Sequence, residues 1–207
     1  MKTPRHSAIE RILDRQARLW ESQSRTVFAG ATPRPANLAI SQRPYSGASD
    51  LARLVAERIG WQTVDRQILE ALHENDELGK SVLESLDERL LNYREDWLYH
   101  LFVPGHMSST GYVRRLSQLI LSLAVRGSAI FIGRGTSFII PPEHRLAVLV
   151  VRSLDSRLGL YRRENGGTPG DARRALSRLD RERGEFVTRS FHHQVDDPQA
   201  YDLCVNL

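Results

Sequence analysis

Short apolar segments alternate with longer helical patterns along most of this chain. The apolar segments have the length of strands, and each is separated from the next by enough residues to form a helix. Such alternation favours a parallel sheet, because parallel strands need long crossover connections. The sequence therefore predicts an α/β fold with three α/β/α layers. The predicted strands are 38–40, 62–64, 129–132, 146–151 and 201–205, and the predicted helices are 50–59, 67–75, 80–101, 111–126, 153–163 and 171–192.

The chain before the first strand differs from the rest. Residues 7–24 place apolar side chains at mostly helical spacing, which predicts an amphipathic helix. Residues 29–37 are rich in proline and alanine and are typical of a linker. We therefore expect an N-terminal helical extension over residues 1–28, a linker over 29–37 and one α/β domain over 38–207.

Length and composition are those of an ordinary globular protein. A chain of 207 residues can form one domain with a full hydrophobic core. No apolar run approaches the roughly 18 residues of a membrane helix. The single cysteine, Cys204, cannot support a disulfide framework, so we expect a cytoplasmic location. Because Cys204 lies inside the last predicted strand, we also expect it to be a core residue.

The basic character of the chain restricts how it can bind an anion. The net charge is +4 and the pI is about 9.6. Acidic residues are interspersed with the basic ones, as in 181–183, which disfavours a nucleic-acid partner. Lys2 and Lys80 are the only lysines. A phosphate site would therefore use arginine side chains, backbone amides and helix N-termini.

The loop after the first predicted strand is the strongest candidate for such a site. In open α/β sheets, ligands bind beyond the carboxyl ends of the strands. Small residues at 46–49 would let backbone N–H groups approach an anion, and the following helix would add its positive N-terminal dipole. The candidate cofactor-binding residues are Arg43, Ser46, Gly47, Ala48, Ser49 and Asp50.

This loop does not match the G-x-x-x-x-G-K-[ST] signature of phosphate-binding loops. Ala48 occupies the position of the lysine, and Asp50 lies near the residue that normally binds Mg²⁺, which makes Asp50 a candidate metal ligand. The alternative interpretation is a plain strand–helix turn in which Asp50 caps the helix.

Two further strand ends carry candidate substrate-binding residues. Asp65 and Arg66 follow the second strand, although an ion pair or a helix cap is the commoner role of such a dipeptide. Gly133 and Gly135 flank Arg134 directly after a buried strand, so the backbone can turn sharply there. A guanidinium in that turn can bind a phosphate bidentately. The alternative is a solvent-facing arginine, and we favour the phosphate site, with Asp65, Arg66, Gly133 and Arg134 as candidates.

The arginine-rich region 157–183 surrounds the glycine-rich loop 164–170 and is typical of a mobile lid. Most of its arginines fit a solvated helical face. A minority, with Arg163 and Arg183 as candidates, would close on a transferring phosphoryl group, as arginine fingers do.

Taken in order, these motifs resemble the cytidylate kinase-like family, a branch of the P-loop nucleoside monophosphate kinases. The family pattern contains Q-x-x-x-W, I-S-R-x-x-G-S-G-G, L-A-x-x-L-G, Y-D-R-x-I/L, G-R-G-x-x-x-I/L, D-x-x-R and Y-D-L-x-I-N. The resemblance extends from about Ile9 to the end of the chain. The corresponding segments here are 16–20, 40–48, 54–60, 64–68, 133–139, 180–183 and 201–206.

The resemblance implies a kinase fold that binds ATP and Mg²⁺ at the loop 41–49, which is called the phosphate loop below. It places Asp65, Arg66 and Arg134 at the monophosphate site and makes 157–183 the lid. By similarity, Asp180 and Arg183 also face the nucleotide, and with Arg163 they are the candidate catalytic residues. The implied reaction transfers the γ-phosphoryl group of ATP to a nucleoside monophosphate, with CMP or dCMP favoured by the resemblance alone.

The chain departs from the family pattern in its phosphate loop. The differing positions are Gln42, Arg43, Tyr45, Ala48 and Ser49, and an Arg43 side chain across the phosphates would replace a lysine. These departures support an alternative function, a catalytically degenerate nucleotide-binding or regulatory module. Relatives continue beyond the position of Leu207 into a loop and a helix, so we expect either that this helix is absent or that the sequence is a fragment.

Overall fold

The computed structural model describes residues 36–74 and 111–207. The predicted helices 7–24 and 80–101, and nearly all of the predicted linker, lie outside these residues. The described strands are β1 (Asn37–Gln42), β2 (Gln62–Val64), β3 (Ala129–Ile132), β4 (Arg145–Val151) and β5 (Leu203–Asn206). The described α-helices are α1 (Ala48–Ile59), α2 (Arg66–Glu74), α3 (Gly111–Ala124), α4 (Thr136–Ile139), α5 (Leu154–Asn165) and α6 (Pro169–Phe191), with short 3₁₀ turns at Pro142–His144 and Pro198–Ala200.

The strands form one parallel sheet in the order β2-β3-β1-β4-β5. β1 lies in the centre, with Leu38 opposite Ile130 of β3 and Leu146 of β4. The prediction of an α/β fold is confirmed. Because β1 and β3 are neighbours and point the same way, the loops that follow them lie at the same edge of the sheet.

The hydrophobic core lies on both faces of this sheet. Successive side chains of a strand point to opposite faces, and β3 shows this alternation. Ala129 and Phe131 pack with the apolar residues of α2 and α3. Ile130 and Ile132 pack with α1 on the other face. All four are buried, so the sheet is covered by helices on both sides.

Helix α1 lies close to the sheet because its buried positions are alanines. Ala48, Ala52 and Ala56 recur every four residues and are the buried residues of the helix. Gly60 ends it with a left-handed backbone, φ 74°, as a glycine can do without strain. The helix begins after Gly47, so the alternative role of Asp50 as its cap is wrong. The acidic side chain instead lies in the first turn, where it complements the helix dipole.

The structure corrects other details of the sequence analysis. The predicted loop 164–170 is mostly helical, since α5 ends at Asn165 and α6 begins at Pro169, where Thr168 forms a capping box with Asp171. Cys204 is exposed, and its prediction as a core residue is wrong. The reason is that β5 is an edge strand, in which only Val205 packs against the core.

Candidate functional site

The segment between β1 and α1 folds into a tight turn. The Ser46 N–H donates to the carbonyl oxygen of Arg43 at 3.1 Å, and Tyr45 and Gly47 have φ of 61° and 85°. The hydroxyl of Ser46 is buried and has no hydrogen-bond partner in the described part of the chain. The first N–H groups of α1 have no acceptor within the helix. The turn therefore offers unpaired donors at a positive helix end, as an anion site requires.

A buried arginine holds this turn against α5 and α6. Arg157 is only 1% exposed; its Nε donates to the carbonyl oxygen of Pro44 at 2.8 Å. Its two Nη atoms donate to the carboxylate of Asp180 at 3.0 and 2.7 Å. The aromatic rings of Tyr45 and Tyr161 add an edge-to-face contact with centroids 5.1 Å apart. The turn is thus fixed to both helices of the predicted lid.

Asp196 joins the phosphate loop to α6. Its carboxylate accepts hydrogen bonds from Arg43 at 2.9 Å and from Arg183 at 2.8 Å. Burial would raise the pKa of Asp196, but the hydrogen bonds and charges of the two arginines lower it below its ordinary value. Arg183 also donates to the Oγ of Ser41 at 3.0 Å, and the Tyr201 hydroxyl lies equally close to that oxygen.

Arg134 projects from a turn in which three consecutive residues have positive φ. The values are 76° for Gly133, 54° for Arg134 and 72° for Gly135. Its guanidinium pairs with Glu70, which also accepts from Arg66 at 2.9 Å, so one carboxylate serves two arginines. Burial, and to a smaller extent the positive charge of Arg66, lowers the pKa of Arg134 to about 10. The guanidinium of Arg134 is therefore still charged at neutral pH.

These loops surround one cavity of about 450 Å³ at the carboxyl edge of the sheet. The phosphate loop, the β3–α4 turn, α2 and α6 all contribute to its wall. Arg66, Arg134 and Arg183 line it, and among the described residues of the lining only Glu182 is acidic. The cavity suits an anionic ligand. The residues of its wall are Ser41, Gln42, Pro44, Arg66, Ile132, Gly133, Arg134, Gly135, Leu179, Glu182, Arg183, Phe186, Val187 and Val195.

The structure brings some predicted residues together and separates others. Arg66, Gly133, Arg134 and Arg183 line the cavity. The Arg134 side chain is 18% exposed, which excludes the alternative of a solvent-facing arginine. Asp65 accepts a hydrogen bond from the N–H of Ile68 at 3.0 Å and so caps α2.

The remaining predicted residues lie on the outside or are engaged elsewhere. Arg163 is exposed on α5, and the Asp50 side chain is 82% exposed. Asp180 binds Arg157, and Arg43 binds Asp196 instead of lying free over the loop. Among residues 36–74 and 111–207, no three His, Cys, Asp or Glu side chains are grouped to hold a metal ion.

Three residues of this site were not found by sequence reasoning. Glu70 lies one helical turn after Arg66, and that i,i+4 spacing is the one local signal that points to it. Arg157 looks like the solvated arginines around it but is buried, and its partner is 23 residues away. Asp196 is 153 residues from Arg43. No local pattern can reveal such distant pairs.

No helix in the described ranges is both long and apolar enough to span a membrane. A search among curated proteins found no match to the chain.

A solved structure with a similar fold supports the architecture, and a second one matches less closely. An uncharacterised protein from Eubacterium ventriosum is 13% identical, with a TM-score of 0.61 over 83% of this chain and 88% of that one. A shikimate kinase from Bacteroides thetaiotaomicron is 11% identical, with a TM-score of 0.42 over 83% of this chain and 85% of that one.

A family model matches residues 37–207, from the first residue of β1 to the last residue of the sequence. This match includes the phosphate loop, the Arg134 turn, both helices of the predicted lid and every strand of the described sheet. The chain belongs to the cytidylate kinase-like family.

Proposed function

We propose that this protein is a nucleoside monophosphate kinase that transfers the γ-phosphoryl group of ATP to CMP or dCMP. The observation that carries the proposal is the arginine-lined cavity next to the phosphate loop. A donor phosphate at the loop and an acceptor phosphate in the cavity would lie at the same edge of the sheet, as in-line transfer requires. The family membership favours a cytidine nucleotide as the acceptor.

The donor side of the site is the turn 43–50. Its unpaired Ser46 hydroxyl and the first N–H groups of α1 fit a polyphosphate. We propose that Asp50, an exposed carboxylate in the first turn of α1, would hold a Mg²⁺ ion, which would neutralise charge on the phosphates. Such a site leaves catalysis mainly to positioning and electrostatic stabilisation by the protein.

The acceptor side is the turn 133–135 together with α2. Arg134 and Arg66 share Glu70, so an incoming phosphate would supply the negative charge that the two guanidinium groups lack. Asp65 fixes the start of α2 and with it the position of Arg66. Gly133 and Gly135 allow the backbone to aim Arg134 into the cavity.

The lid residues supply the positive charge that phosphoryl transfer needs. Arg183 is held between the Ser41 hydroxyl and Asp196, at the junction of the two sides, and would stabilise charge on the transferring group. Asp180 positions Arg157 under the phosphate loop. Arg163 is exposed on α5 and would reach the phosphates only on lid closure.

The test is a coupled ADP-release assay with the full chain, Mg²⁺ and millimolar ATP, run across the common nucleoside monophosphates. We expect turnover with CMP or dCMP.

Replacing Arg134 by alanine removes a charge-assisted contact and should raise KM for the acceptor by about tenfold or more. Arg58→Ala, an exposed change in the last turn of α1, is the control. No turnover with any monophosphate, or an unchanged KM in Arg134→Ala, would contradict the proposal.

A second candidate is a catalytically degenerate nucleotide-binding or regulatory module. The observation that favours it lies in the phosphate loop. Ala48, at the position of the usual lysine, is fully buried, and Arg43 is bound to Asp196. This candidate predicts thermal stabilisation by nucleotides without turnover.

We also propose the organisation of the whole chain: a helical extension over 1–28, a linker over 29–37 and the kinase domain over 38–207. We further propose a cytoplasmic location, since the unpaired thiol of Cys204 suits a reducing compartment.

A further inference from the structure

The phosphate loop lacks its lysine, but another cation lies against it. Arg152 directly follows β4, whose Val150 is the register partner of Gln42 at the end of β1. The two strand ends therefore place Arg152 beside the turn. Its Nη2 and Cζ lie 3.3 and 3.5 Å from the position that a Cβ on Gly47 would occupy. A side chain at 47 would thus push into the space that the guanidinium occupies.

Arg152 differs from the other arginines of the site because it has no counterion among the described residues. Arg43, Arg157 and Arg183 all bind carboxylates. Arg152 makes no hydrogen bond or ion pair to any residue, and its Nε is buried without a partner, as far as the described part of the chain shows. Partial burial of an unpaired charge is unfavourable, so the group is suited to gain an anionic partner.

The neighbouring groups point to the same ligand. Within residues 36–74 and 111–207, the buried Ser46 hydroxyl also lacks a partner. Ser46 precedes Gly47, over which the guanidinium lies. In ordinary phosphate loops the lysine reaches the β- and γ-phosphates. An arginine can bind such oxygens bidentately, and its planar fork suits phosphate geometry.

We propose that Arg152 replaces the missing loop lysine and binds the β- and γ-phosphates of the donor nucleotide. The inference rests on the proposed function. It assigns Arg152 to the donor side and leaves the acceptor phosphate to Arg134. It also explains why residue 47 is glycine: a side chain there would collide with the Arg152 guanidinium, and the backbone has a positive φ.

The experiment measures ATP–Mg²⁺ and CMP binding separately by calorimetry on the full chain. Arg152→Ala should weaken ATP binding by about 10- to 100-fold, the effect of losing a charge-assisted contact. CMP binding should stay within about twofold, because Arg152 is not among the residues that line the proposed acceptor cavity. Arg152→Lys should restore most of the ATP affinity. Arg189→Ala, which removes an exposed arginine paired with Glu185, should leave both affinities unchanged.

The outcomes separate the inference from the proposed function. Equal ATP affinity in Arg152→Ala and the wild type overturns the inference alone. A parallel loss of ATP and CMP binding with a lower Tm also overturns it, since that result indicates a purely structural role. Failure of the wild type to bind ATP overturns both proposals.

Discussion

Two glycines flank Arg134, and they serve different physical purposes. Both have positive φ, 76° at Gly133 and 72° at Gly135, which costs an L-residue about 1–2 kcal/mol. A Cβ on Gly133 would meet no atom within 4 Å, whereas a Cβ on Gly135 would overlap the ring of Phe191. Gly133 is therefore required only for its backbone conformation, and Gly135 also for the close approach of α6.

Alanine substitutions at these two positions form a matched pair. We expect Gly133→Ala to lower the free energy of unfolding by about 1–2 kcal/mol. Gly135→Ala should lose about 1–3 kcal/mol more, because the ring of Phe191 must move. Urea unfolding of both variants measures the difference. Equal destabilisation would mean that Phe191 does not pack against the turn in solution.

At the scale of elements, local pattern predicts the described strands and every described α-helix except the short α4. The apolar runs give β2 and β3 with the predicted bounds, and β1 extends beyond its predicted apolar residues because its parallel pairing with β4 continues through Gln42. Arg134 is found because glycines flank it after a buried strand.

The contacts that build the site are beyond such reasoning. Glu70 and Arg134 are 64 residues apart, and Arg157 and Pro44 are 113 apart. The sequence shows Glu70 and Arg157 as ordinary charged residues on helices. Only the packing of α2, α5 and α6 around the sheet edge brings them to the loops. The composition of the cavity therefore follows from the fold, and the exposure of Cys204 follows from the place of β5 at the sheet edge.

The Arg157–Asp180 pair should determine how firmly α5 and α6 hold the phosphate loop. Asp180→Asn leaves a buried guanidinium without its charge partner, which should cost about 3 kcal/mol of unfolding free energy. The matched control is Glu185→Gln, which breaks an exposed pair with Arg189 and should cost under about 1 kcal/mol. Chemical denaturation compares the two. Similar small losses in both variants would show that the Arg157–Asp180 pair does not hold α5 and α6 to the phosphate loop.

At the scale of the whole molecule, Asp196 connects parts of the chain that are distant in sequence. Its two arginine partners lie in the β1–α1 turn and in α6, and Asp196 itself follows α6. Tyr201, whose pKa is raised chiefly by burial, contacts Ser41 in the same group of side chains. The sheet, the phosphate loop and the predicted lid therefore meet around one carboxylate, and its ionisation should influence the stability of the entire fold.

The sign of that influence follows from the lowered pKa of Asp196. A carboxyl group with a depressed pKa in the folded state stabilises the fold above its unfolded pKa of about 3.9, and this stability disappears as the pH falls through the folded value. Asp196→Asn should therefore be less stable than the wild type at pH 7, and the difference should shrink below about pH 4. Urea unfolding at both pH values measures it. If the Asp196→Asn difference stayed constant with pH, the two arginine contacts would not depend on the charge of Asp196, and the carboxylate would not be what joins the loop to α6.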